Sequence, residues 1–399
     1  MSGDSDIGSV LAGDPGFGPA NLPYGVFSVG QSARRVGIAL GDSVLDLAAF
    51  TNDDVFARPS LNDFMSQGRE RWRALRAQVQ DGLVSYPADI LRALVPRAGV
   101  SLHMPVDVAD FVDFFSSLEH ASNAAAILRP GETPLQPNWR ELPVGYHGRA
   151  GTVVVSGTDV VRPSGQLRGE HGERPSLAPT RALDVETELG FVVGVGSEHF
   201  TSVAADDFAE HVFGVVLLID WSARDIQSFE CRPLGPFLAK SFATTISPWI
   251  VPLDALAHAR VPVPQRDREP LPYLRETDSW SLDIDMALRL QGVEISHPNT
   301  ASLYWTGAQQ MAHMTVNGAS LRTGDLFGSG TVSSFDAAAQ GSLLEITSGG
   351  SRPLTLPDGE TREYLRDGDT VELEGSARGP DGGTISLGAA VGRIIGAAV

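Results

Sequence analysis

Cysteine is nearly absent from this 399-residue chain, which contains Cys231 and no other. An intramolecular disulfide is therefore impossible, and a zinc site built on several thiolates is excluded. Positive charge is also scarce, with 30 lysine and arginine residues against 49 acidic residues, and the net charge of −19 argues against nucleic acid and anionic membranes as partners. An anionic small-molecule substrate is not excluded, because a bound cation and a few arginines can reverse the local field.

Long apolar segments are missing as well. No run of about 18 apolar residues occurs, so the sequence predicts no membrane-spanning helix. The first residues, Met1 to Pro15, are polar and rich in glycine, with neither a basic start nor an apolar stretch, and they do not have the pattern of a signal peptide. Together these absences predict a soluble, cytoplasmic protein.

The length of the chain predicts two domains, a smaller one over residues 1–103 and a larger one over residues 104–399. The smaller domain carries short apolar stretches broken by glycine, as in a small β-structure, followed by apolar residues near helical spacing. Its predicted elements are strands within Tyr24–Val29 and Val36–Leu47 and helices within Ser60–Leu83 and Asp89–Leu94.

The larger domain is predicted to be mostly β-structure with a few helices, so the fold class is α+β. Valine-rich apolar runs are typical of buried strands, and alternation is typical of a half-buried strand. Beyond Met311 the chain is β-like and rich in turns. We expect a rolled or barrel-like sheet whose mouth can hold a ligand. The predicted strands are Val153–Ser156, Gly190–Val195, His211–Asp220 and Leu282–Leu290. Two long loops, Pro163–Thr180 and Val261–Leu274, are each either a flap or a surface excursion, and the surface excursion is favoured.

Two glutamates, Glu186 and Glu188, immediately precede one of the apolar runs. On a strand, residues i and i+2 point to the same face, so the two carboxylates would converge and repel each other unless a cation lay between them. Oxygen ligands of this kind suit calcium or magnesium. A solvated strand face gives the same pattern, and with 49 acidic residues in the chain such pairs are common, so the pair alone does not decide.

Asp220 follows the almost wholly apolar run Val212–Ile219. An acid at the end of a buried strand must be paired or bind a metal. Arg224 and Gln227 then lie one helical turn apart, on one face. The alternative is a helix N-cap, in which Asp220 accepts backbone N–H groups and Arg224 pairs locally.

A third cluster runs from Asp113 to His120. If a strand ends near Phe115 and a helix begins at Ser116 or Ser117, Asp113 closes the strand and His120 lies in the first helical turn. A histidine there could act as a general base, and the alternative is a histidine tied to a carboxylate for structural reasons.

These clusters belong to a set of motifs that covers nearly the whole chain and resembles the fumarylacetoacetate hydrolase family. Long motifs in register are far more specific than one pair of glutamates, and they favour the functional interpretation of each cluster. The motifs are Asn21-Leu-Pro-Tyr-Gly-Val-Phe-Ser28, Asp113-Phe-Phe-Ser-Ser with His120, Asn123 and Arg129, Pro143-Val-Gly-Tyr146-His-Gly-Arg149, Asp184-Val-Glu186-Thr-Glu188, Asp220-Trp-Ser-Ala-Arg-Asp-Ile-Gln227, Gly235-Pro-Phe-Leu-Ala-Lys240-Ser-Phe-Ala-Thr244, and Ser329-Gly-Thr331 through Glu345.

The resemblance implies a fold and a metal site. The family's fold is a small N-terminal SH3-like β domain followed by a larger domain with a β-roll, usually assembled as a homodimer. The family's cation is calcium or magnesium, and Lys240 and Thr244 match positions that help to hold it. The positions that match its ligands are Asp113, Glu186, Glu188 and Asp220.

The resemblance also implies catalytic roles. His120 matches the general base, with Glu345 orienting it, and the groups that stabilise the developing oxyanion are matched by Arg224, Gln227 and Lys240. The implied reaction is hydrolysis of a C–C bond in a 1,3-diketo acid, in which water activated by His120 attacks a carbonyl. The family's products are fumarate and acetoacetate, at the end of tyrosine and phenylalanine breakdown. The positions that match substrate contacts are Phe115, Arg129, Tyr146, Gln227, Cys231 and Thr331.

Phe115 and Cys231 depart from the family pattern, which has tyrosine at both positions in contact with the substrate's carboxylates. Losing a hydrogen bond to a bound charge costs roughly 1.5–3 kcal/mol, so a substrate with a different acyl or carboxylate end is one hypothesis. In the alternative, other residues or water replace the phenols.

Three functions are therefore compared. The first is hydrolysis of fumarylacetoacetate or of a related acylpyruvate, the second is a decarboxylase or isomerase of the same fold, and the third is a binding protein without catalysis. Because His120 and Glu345 are retained, the sequence favours hydrolysis.

Overall fold

The computed structural model describes Gly8, residues 13–169 and residues 173–397. Most of the segment Met1 to Pro15, where the sequence predicts no signal peptide, lies outside these described residues, as does part of the predicted loop Pro163–Thr180. In the described parts of the chain, no helix is long and apolar enough to cross a membrane.

The N-terminal part of the chain forms a five-stranded antiparallel sheet with helices packed on it. The helix predicted over Ser60–Leu83 is interrupted at Gly68, whose φ of +88° is a conformation that glycine adopts without strain. The predicted strand Val36–Leu47 is divided by a turn at Gly41. In sheet order the strands are Leu94–Pro96, Ser43–Asp46, Arg35–Leu40, Tyr24–Val29 and Val100–His103, and the helices are Leu47–Thr51, Asn62–Met65, Arg69–Ser85 and Pro87–Arg92.

The central sheet has eight strands and carries the candidate site. Its two longest strands, Leu183–Val193 and Val212–Ala223, are antiparallel neighbours and are buried along their whole length. In sheet order the first seven strands are Gly145–His147, Phe111–Phe114, Leu326–Gly328, Leu183–Val193, Val212–Ala223, Thr244–Ile246 and Val153–Val155, and Val251–Pro252 pairs beside Val212–Ala223.

Both faces of the central sheet are covered, which explains why its strands are continuous apolar runs rather than alternating ones. One face packs against the second sheet of the C-terminal part, through residues such as Leu217 and Trp221. The opposite face packs under the N-terminal sheet and helices, through residues such as Val192, Val216 and Leu218. The N-terminal and C-terminal parts thus share a core, and the domain boundary near residue 103 stays a prediction.

The second sheet and several short elements complete the C-terminal part. Its five strands, in sheet order, are Val293–Ser296, Ile284–Leu290, Thr370–Arg378, Thr384–Ile395 and Val160–Val161. Three hairpins pair Ser164–Leu167 with Ser176–Pro179, Arg260–Pro262 with Trp280–Leu282, and Leu354–Thr355 with Thr361–Arg362. The helices are Leu118–Leu128, Phe208–His211, Arg224–Glu230, Gly307–Thr315 and Leu343–Ile346.

Mixed helices and strands confirm the α+β class. The segment Pro163–Thr180, predicted as a surface excursion, contains a hairpin that packs on the helix Arg224–Glu230. Gly165 touches this helix so closely that a Cβ would lie 2.7 Å from a side-chain carbon of Ile226. The hairpin therefore supports a helix that carries two of the predicted site residues.

Candidate active site

Three carboxylates from three strands of the central sheet meet in the interior. Asp113, Glu188 and Asp220 each offer one oxygen, and these oxygens lie within 4.8 Å of one another. They project from the sheet face that, further along the same strands, packs under the N-terminal part. The three residues, which we call the carboxylate triad, are all buried, so three acidic groups share a small volume away from water.

The surroundings of the carboxylate triad fit a divalent cation. Asp113 Oδ1 and Glu188 Oε1 are buried without a hydrogen-bond donor among the described residues. Such an oxygen is costly unless a cation or a proton occupies it. Burial raises the pKa of Asp113, Glu188 and Asp220, and repulsion between neighbouring carboxylates adds to the shift. Calcium and magnesium take oxygen ligands of this kind, and either would compensate the repulsion.

The other oxygen of two triad members is held by the protein. Tyr146 donates its hydroxyl to Asp113 Oδ2 over 2.6 Å, and the backbone N–H of Gly330 donates to Glu188 Oε2 over 3.0 Å. Glycine is needed at position 328, since a Cβ there would lie 2.5 Å from the same Glu188 oxygen. These contacts fix each carboxylate and leave its free oxygen for a cation.

Glu186 lies on the same strand face as Glu188, as the i, i+2 spacing predicts, but its partners are cations. Lys240 Nζ lies 2.7 Å from Glu186 Oε2, and Arg224 Nη2 lies 2.7 Å from Glu186 Oε1 in an ion pair without hydrogen-bond geometry. Burial opposes the ionisation of Glu186, but these two cations outweigh it and hold its pKa below the usual range. The pKa of Glu186 is therefore shifted in the opposite direction to the pKa values of the carboxylate triad beside it.

Lys240 is the only lysine in the chain, and it is 7% exposed. Its ammonium group also donates to Asp220 Oδ2 over 2.5 Å, while Thr244 donates to Asp220 Oδ1 over 3.3 Å. Burial lowers the pKa of Lys240, but Asp220 and Glu186 outweigh this effect and raise it. An ammonium group has three N–H donors, so one is left after these two carboxylates are bound.

His120 and Glu345 form a buried pair. His120 Nδ1 lies 2.7 Å from Glu345 Oε2, and Nε2 lies 4.0 Å from Glu186 Oε1. Burial opposes the ionisation of Glu345, but His120 and hydrogen bonds from Ser333 and Asn123 lower its pKa. An ionised Glu345 binds the proton on Nδ1, so the lone pair on Nε2 is directed towards the carboxylates, as a general base requires.

The turn between the strand Phe111–Phe114 and the helix Leu118–Leu128 places His120 in this position. Ser117 is the N-cap, and its hydroxyl oxygen accepts the backbone N–H of His120 over 3.1 Å. The ring of Phe115 packs edge-on against the imidazole, with 5.4 Å between centroids and 83° between planes. The strand ends at Phe114, near the predicted end, and the helix begins at Leu118, one residue after the later of the two predicted starts.

Arg224 and Gln227 begin the helix that follows Asp220. Arg224 Nη1 donates to Gln227 Oε1 over 3.1 Å, so the N–H donors of the Gln227 amide remain available. Burial lowers the pKa of Arg224, but Asp184 and Glu186 outweigh it and raise the pKa above its ordinary value. Together with Lys240, these side chains supply several N–H donors beside the carboxylates, which is the arrangement that stabilises an oxyanion.

The remaining predicted substrate contacts are only partly brought together. Tyr146 binds Asp113, and Thr331 is buried with its hydroxyl unpaired among the described residues. Arg129 ends the helix that carries His120 and pairs with Glu132 over 3.7 Å. Cys231 is half-buried after the helix Arg224–Glu230. Within the described residues, neither Arg129 nor Cys231 forms a side-chain hydrogen bond or ion pair with the carboxylate triad or His120.

A cavity of about 90 Å³ connects the carboxylate triad with the surface. Asp220 and Lys240 lie at its inner end, and exposed residues such as Arg149 and Phe237 lie at its mouth. A larger cavity, of about 630 Å³, lies on the N-terminal part and contains none of the predicted site residues. The lining residues of the smaller cavity are Phe111, Tyr146, His147, Gly148, Arg149, Asp220, Pro236, Phe237, Lys240 and Ser241.

Sequence reasoning assigned no role to the donors that surround Glu345. Asn123 and Ser333 donate to Glu345 Oε1 over 2.9 and 2.7 Å, and Ser342 donates to Oε2 over 2.8 Å. Asn123 is named in a matching motif, whereas Ser333 and Ser342 lie inside the matching stretch from Ser329 to Glu345, where isolated serines give no signal of their own. Lys240 could have been singled out more directly, because a single lysine among 30 basic residues is conspicuous.

Comparison with known proteins places this geometry in a family. The model of the fumarylacetoacetase N-terminal region matches residues 20–105, and that of the fumarylacetoacetate hydrolase C-terminal region matches residues 111–394. The chain belongs to the fumarylacetoacetate hydrolase family. Fumarylacetoacetase from Rattus norvegicus is 42% identical over 409 residues, which cover 96% of this chain and 97% of the relative.

Other members of the family are equally similar along their full length. Fumarylacetoacetase from Caenorhabditis elegans is 44% identical, covering 94% of this chain and 95% of that protein, and the enzyme from Arabidopsis thaliana is 42% identical, covering 98% and 97%. Among solved structures, fumarylacetoacetate hydrolase from Exiguobacterium antarcticum has a TM-score of 0.57 at 16% identity and covers 94% of this chain and 99% of its own. That structure supports the shared fold alone.

Proposed function

We propose that this chain hydrolyses 4-fumarylacetoacetate to fumarate and acetoacetate, the last step of tyrosine and phenylalanine breakdown. The observation that carries the proposal is the buried His120–Glu345 pair, whose free nitrogen is directed towards carboxylates that fit a cation. Full-length similarity to fumarylacetoacetases at 42–44% identity supports this substrate over other diketo acids. The solved maleylpyruvate hydrolase from Sphingobium, 19% identical with a TM-score of 0.55, shares the fold only.

In this proposal the carboxylate triad and Glu186 hold Mg²⁺ or Ca²⁺, and Lys240 and Thr244 fix Asp220 beside the ion. A cation bound there polarises the carbonyl groups of a 1,3-dicarbonyl compound. Both oxygens of Glu186 are paired with a cationic side chain, Lys240 or Arg224. For Glu186 to bind the metal ion, one of these ion pairs must give way to the ion. Asp113 and Glu188 need no such exchange, because each has an oxygen without a hydrogen-bond donor among the described residues.

His120 is the proposed general base. Its Nε2 takes a proton from a water molecule, and the resulting hydroxide attacks the ketone carbonyl of the fumaryl group. Glu345 stabilises the imidazolium that forms, because it is ionised and accepts the Nδ1–H. The tetrahedral intermediate then collapses with cleavage of the C–C bond, and the carbanion of acetoacetate receives the proton back from His120 or from water.

The proposed oxyanion donors are Arg224, Gln227 and Lys240. Each has an N–H group that is not used by the hydrogen bonds described above, so each can donate to the developing alkoxide. Removing one such donor costs roughly 3 kcal/mol of transition-state stabilisation in comparable enzymes. The proposed substrate contacts are Phe115, Arg129, Tyr146, Gln227, Cys231 and Thr331.

We also propose a homodimer of two-domain subunits, divided near residue 103, in the cytoplasm. The dimer follows from the family resemblance, and sedimentation equilibrium at several concentrations tests it. A single cysteine leaves no intramolecular disulfide, which is usual in reducing compartments.

A panel assay tests the function. Fumarylacetoacetate, acylpyruvates and 1,3-diketones with and without a terminal carboxylate are supplied with Mg²⁺ or Ca²⁺, and products are identified by chromatography. We expect fumarate and acetoacetate in equal amounts, with loss of activity in chelator. Faster cleavage of a different diketo acid would support the alternative hydrolase, and products that retain the C–C bond would support a decarboxylase or isomerase. No turnover with any substrate would support a binding protein.

A further inference from the structure

Asp184 is a buried carboxylate that the proposed reaction does not use. It lies on the strand Leu183–Val193, two residues before Glu186, and is 0% exposed. Unlike the carboxylate triad, both of its oxygens accept hydrogen bonds from the protein. A carboxylate whose oxygens both accept hydrogen bonds from the protein is held in place and has no unpaired oxygen for a metal ion.

One group that Asp184 holds is the guanidinium of Arg224. Arg224 Nε donates to Asp184 Oδ2 over 2.7 Å, while the two terminal nitrogens of the same group contact Glu186 and Gln227. Because a guanidinium is planar and rigid, fixing Nε fixes the directions in which the terminal nitrogens point. Asp184 therefore fixes the orientation of Arg224, a proposed oxyanion donor.

Asp184 also holds the short helix Leu343–Ile346. The backbone N–H of Leu343 donates to Asp184 Oδ1 over 2.8 Å, and that of Leu344 donates to Oδ2 over 3.1 Å. These N–H groups begin the helix and have no partner within it. Glu345 is the next residue, so the position of the carboxylate that orients His120 depends on the same anchor.

We propose that Asp184 is a positioning residue that fixes the oxyanion donor Arg224 and the Glu345–His120 pair relative to each other. Asp184 thus aligns the general base His120, through Glu345, with Arg224. Arg224 stabilises the negative charge that forms when the hydroxide attacks the carbonyl. The inference rests on the proposed function. Its competitor is a purely structural role, in which Asp184 stabilises the fold and the site is aligned without it.

Asp184→Asn is the first variant. The asparagine keeps one acceptor oxygen but turns an N–H₂ group towards the N–H donors of Arg224 and Leu344. Asp369→Asn is the matched control, because Asp369 is also buried, accepts from Arg362 Nε and Nη2 at 3.0–3.2 Å and from the Arg366 N–H at 2.8 Å, and has no hydrogen bond to the site.

For Asp184→Asn we expect kcat to fall roughly 10- to 100-fold at saturating substrate, as for other groups that orient catalytic residues. KM should stay within about threefold of wild type, and Asp369→Asn should leave kcat within the same limit. Both variants should lower the thermal unfolding midpoint. If Asp184→Asn lowers the midpoint and leaves kcat near wild type, the positioning role is overturned. Should the asparagine variant fail to fold, Asp184→Ser, which retains an acceptor and adds no opposing amide, replaces it.

Two further measurements separate this inference from the proposed function. In a crystal structure of Asp184→Asn, the His120 Nδ1–Glu345 Oε2 distance should lengthen beyond about 3.2 Å, and unchanged contacts at both His120 and Arg224 would overturn the inference even if the substrate proved to be different. In a double-mutant cycle, the losses of kcat from Arg224→Gln and Asp184→Asn should be less than additive, because part of the effect of Asp184→Asn acts through Arg224 and the rest through Glu345. Full additivity would mean that Asp184 does not act through Arg224.

Discussion

The carboxylate triad and Glu345 are all buried, yet they are in opposite electrostatic situations. Burial raises the pKa of Asp113, Glu188 and Asp220, whereas the pKa of Glu345 is lowered despite its burial. The clearest difference lies in the donors, since Glu345 accepts from four side chains at 2.7–2.9 Å, whereas Asp113 and Glu188 each leave one oxygen without a donor among the described residues. The supply of donors, and not depth alone, decides whether a buried carboxylate is complete or requires a cation.

The largest effect is expected from His120→Ala. Loss of the general base should lower kcat roughly 10²- to 10⁴-fold, with the affinity for Ca²⁺ or Mg²⁺ almost unchanged because the imidazole is not part of the triad. Steady-state kinetics and titration calorimetry measure the two quantities. A comparable loss of metal affinity would mean that the base and the metal site are not the separate units described here.

Asp220→Asn should affect the carboxylate triad instead of the His120–Glu345 pair. Removing one negative ligand should weaken divalent cation binding by roughly 100-fold, since affinity in oxygen sites follows ligand charge. Activity should return in part at high cation concentration, which His120→Ala cannot do. Calcium titration with Asp369→Asn as the control checks this, and unchanged affinity would contradict the assignment of Asp220.

Glu345→Gln should lower kcat by roughly 10- to 100-fold through loss of His120 orientation. It also carries a pH signature. The folded-state pKa of Glu345 is depressed, so the ionised carboxylate stabilises the folded protein. This contribution to the free energy of unfolding is fully present above the unfolded-state pKa and is lost as pH falls through the folded-state pKa. The stability difference between wild type and Glu345→Gln should therefore be largest near neutral pH and shrink below about pH 4. Urea unfolding at both pH values measures it, and a pH-independent difference would show that Glu345 is not ionised.

Tyrosine at positions 115 and 231 should add hydroxyl donors for the carboxylates of the substrate, just as the donors around Glu345 satisfy that carboxylate. Phe115→Tyr with Cys231→Tyr is expected to lower KM for fumarylacetoacetate by about tenfold, the equivalent of one hydrogen bond to a charge. The two single variants serve as controls. An unchanged KM would indicate that other residues or water already satisfy the substrate's carboxylates.

The smallest effect is expected at Asp325, a carboxyl group outside the site. Burial raises its pKa to about 6, so the folded state favours the protonated form, and stability falls as pH rises from about 4 to about 6. Asp325→Asn should remove this fall and stabilise the protein at pH 7 by about 1–2 kcal/mol, less than the full shift implies because the side chain keeps some contact with water. Equal stability of the two proteins at pH 7 would contradict the raised pKa.

Periodicity and motif resemblance were enough to predict much of this site. Glu186 and Glu188 share a strand face because alternation follows from backbone geometry, and His120 lies in a first helical turn because Ser117 has an N-cap residue's chemistry. What could not be predicted is that Glu186 is paired with cations while Glu188 is not. That distinction depends on Lys240 and Arg224, which arrive from other segments, and spacing along one strand contains no information about them.

The fold shows the same limit. The predicted strand His211–Asp220 is confirmed but continues to Ala223, so Asp220 lies within the strand and directly opposite Glu186 instead of at its end. The helix N-cap alternative for Asp220 is therefore wrong. Both faces of that strand are covered, and an acid inside a doubly covered strand is recognisable only after the covering layers are known.

Because Lys240 is the only lysine in the chain, proteolysis at lysine reports on one position of the protein. A protease specific for lysine can cut this sequence at one place, giving fragments of residues 1–240 and 241–399. Because the Lys240 ammonium is enclosed by Glu186 and Asp220, that single cut requires the candidate site to open. The rate of proteolysis, with and without added cation, thus reads out the opening of one site in an otherwise unmodified chain.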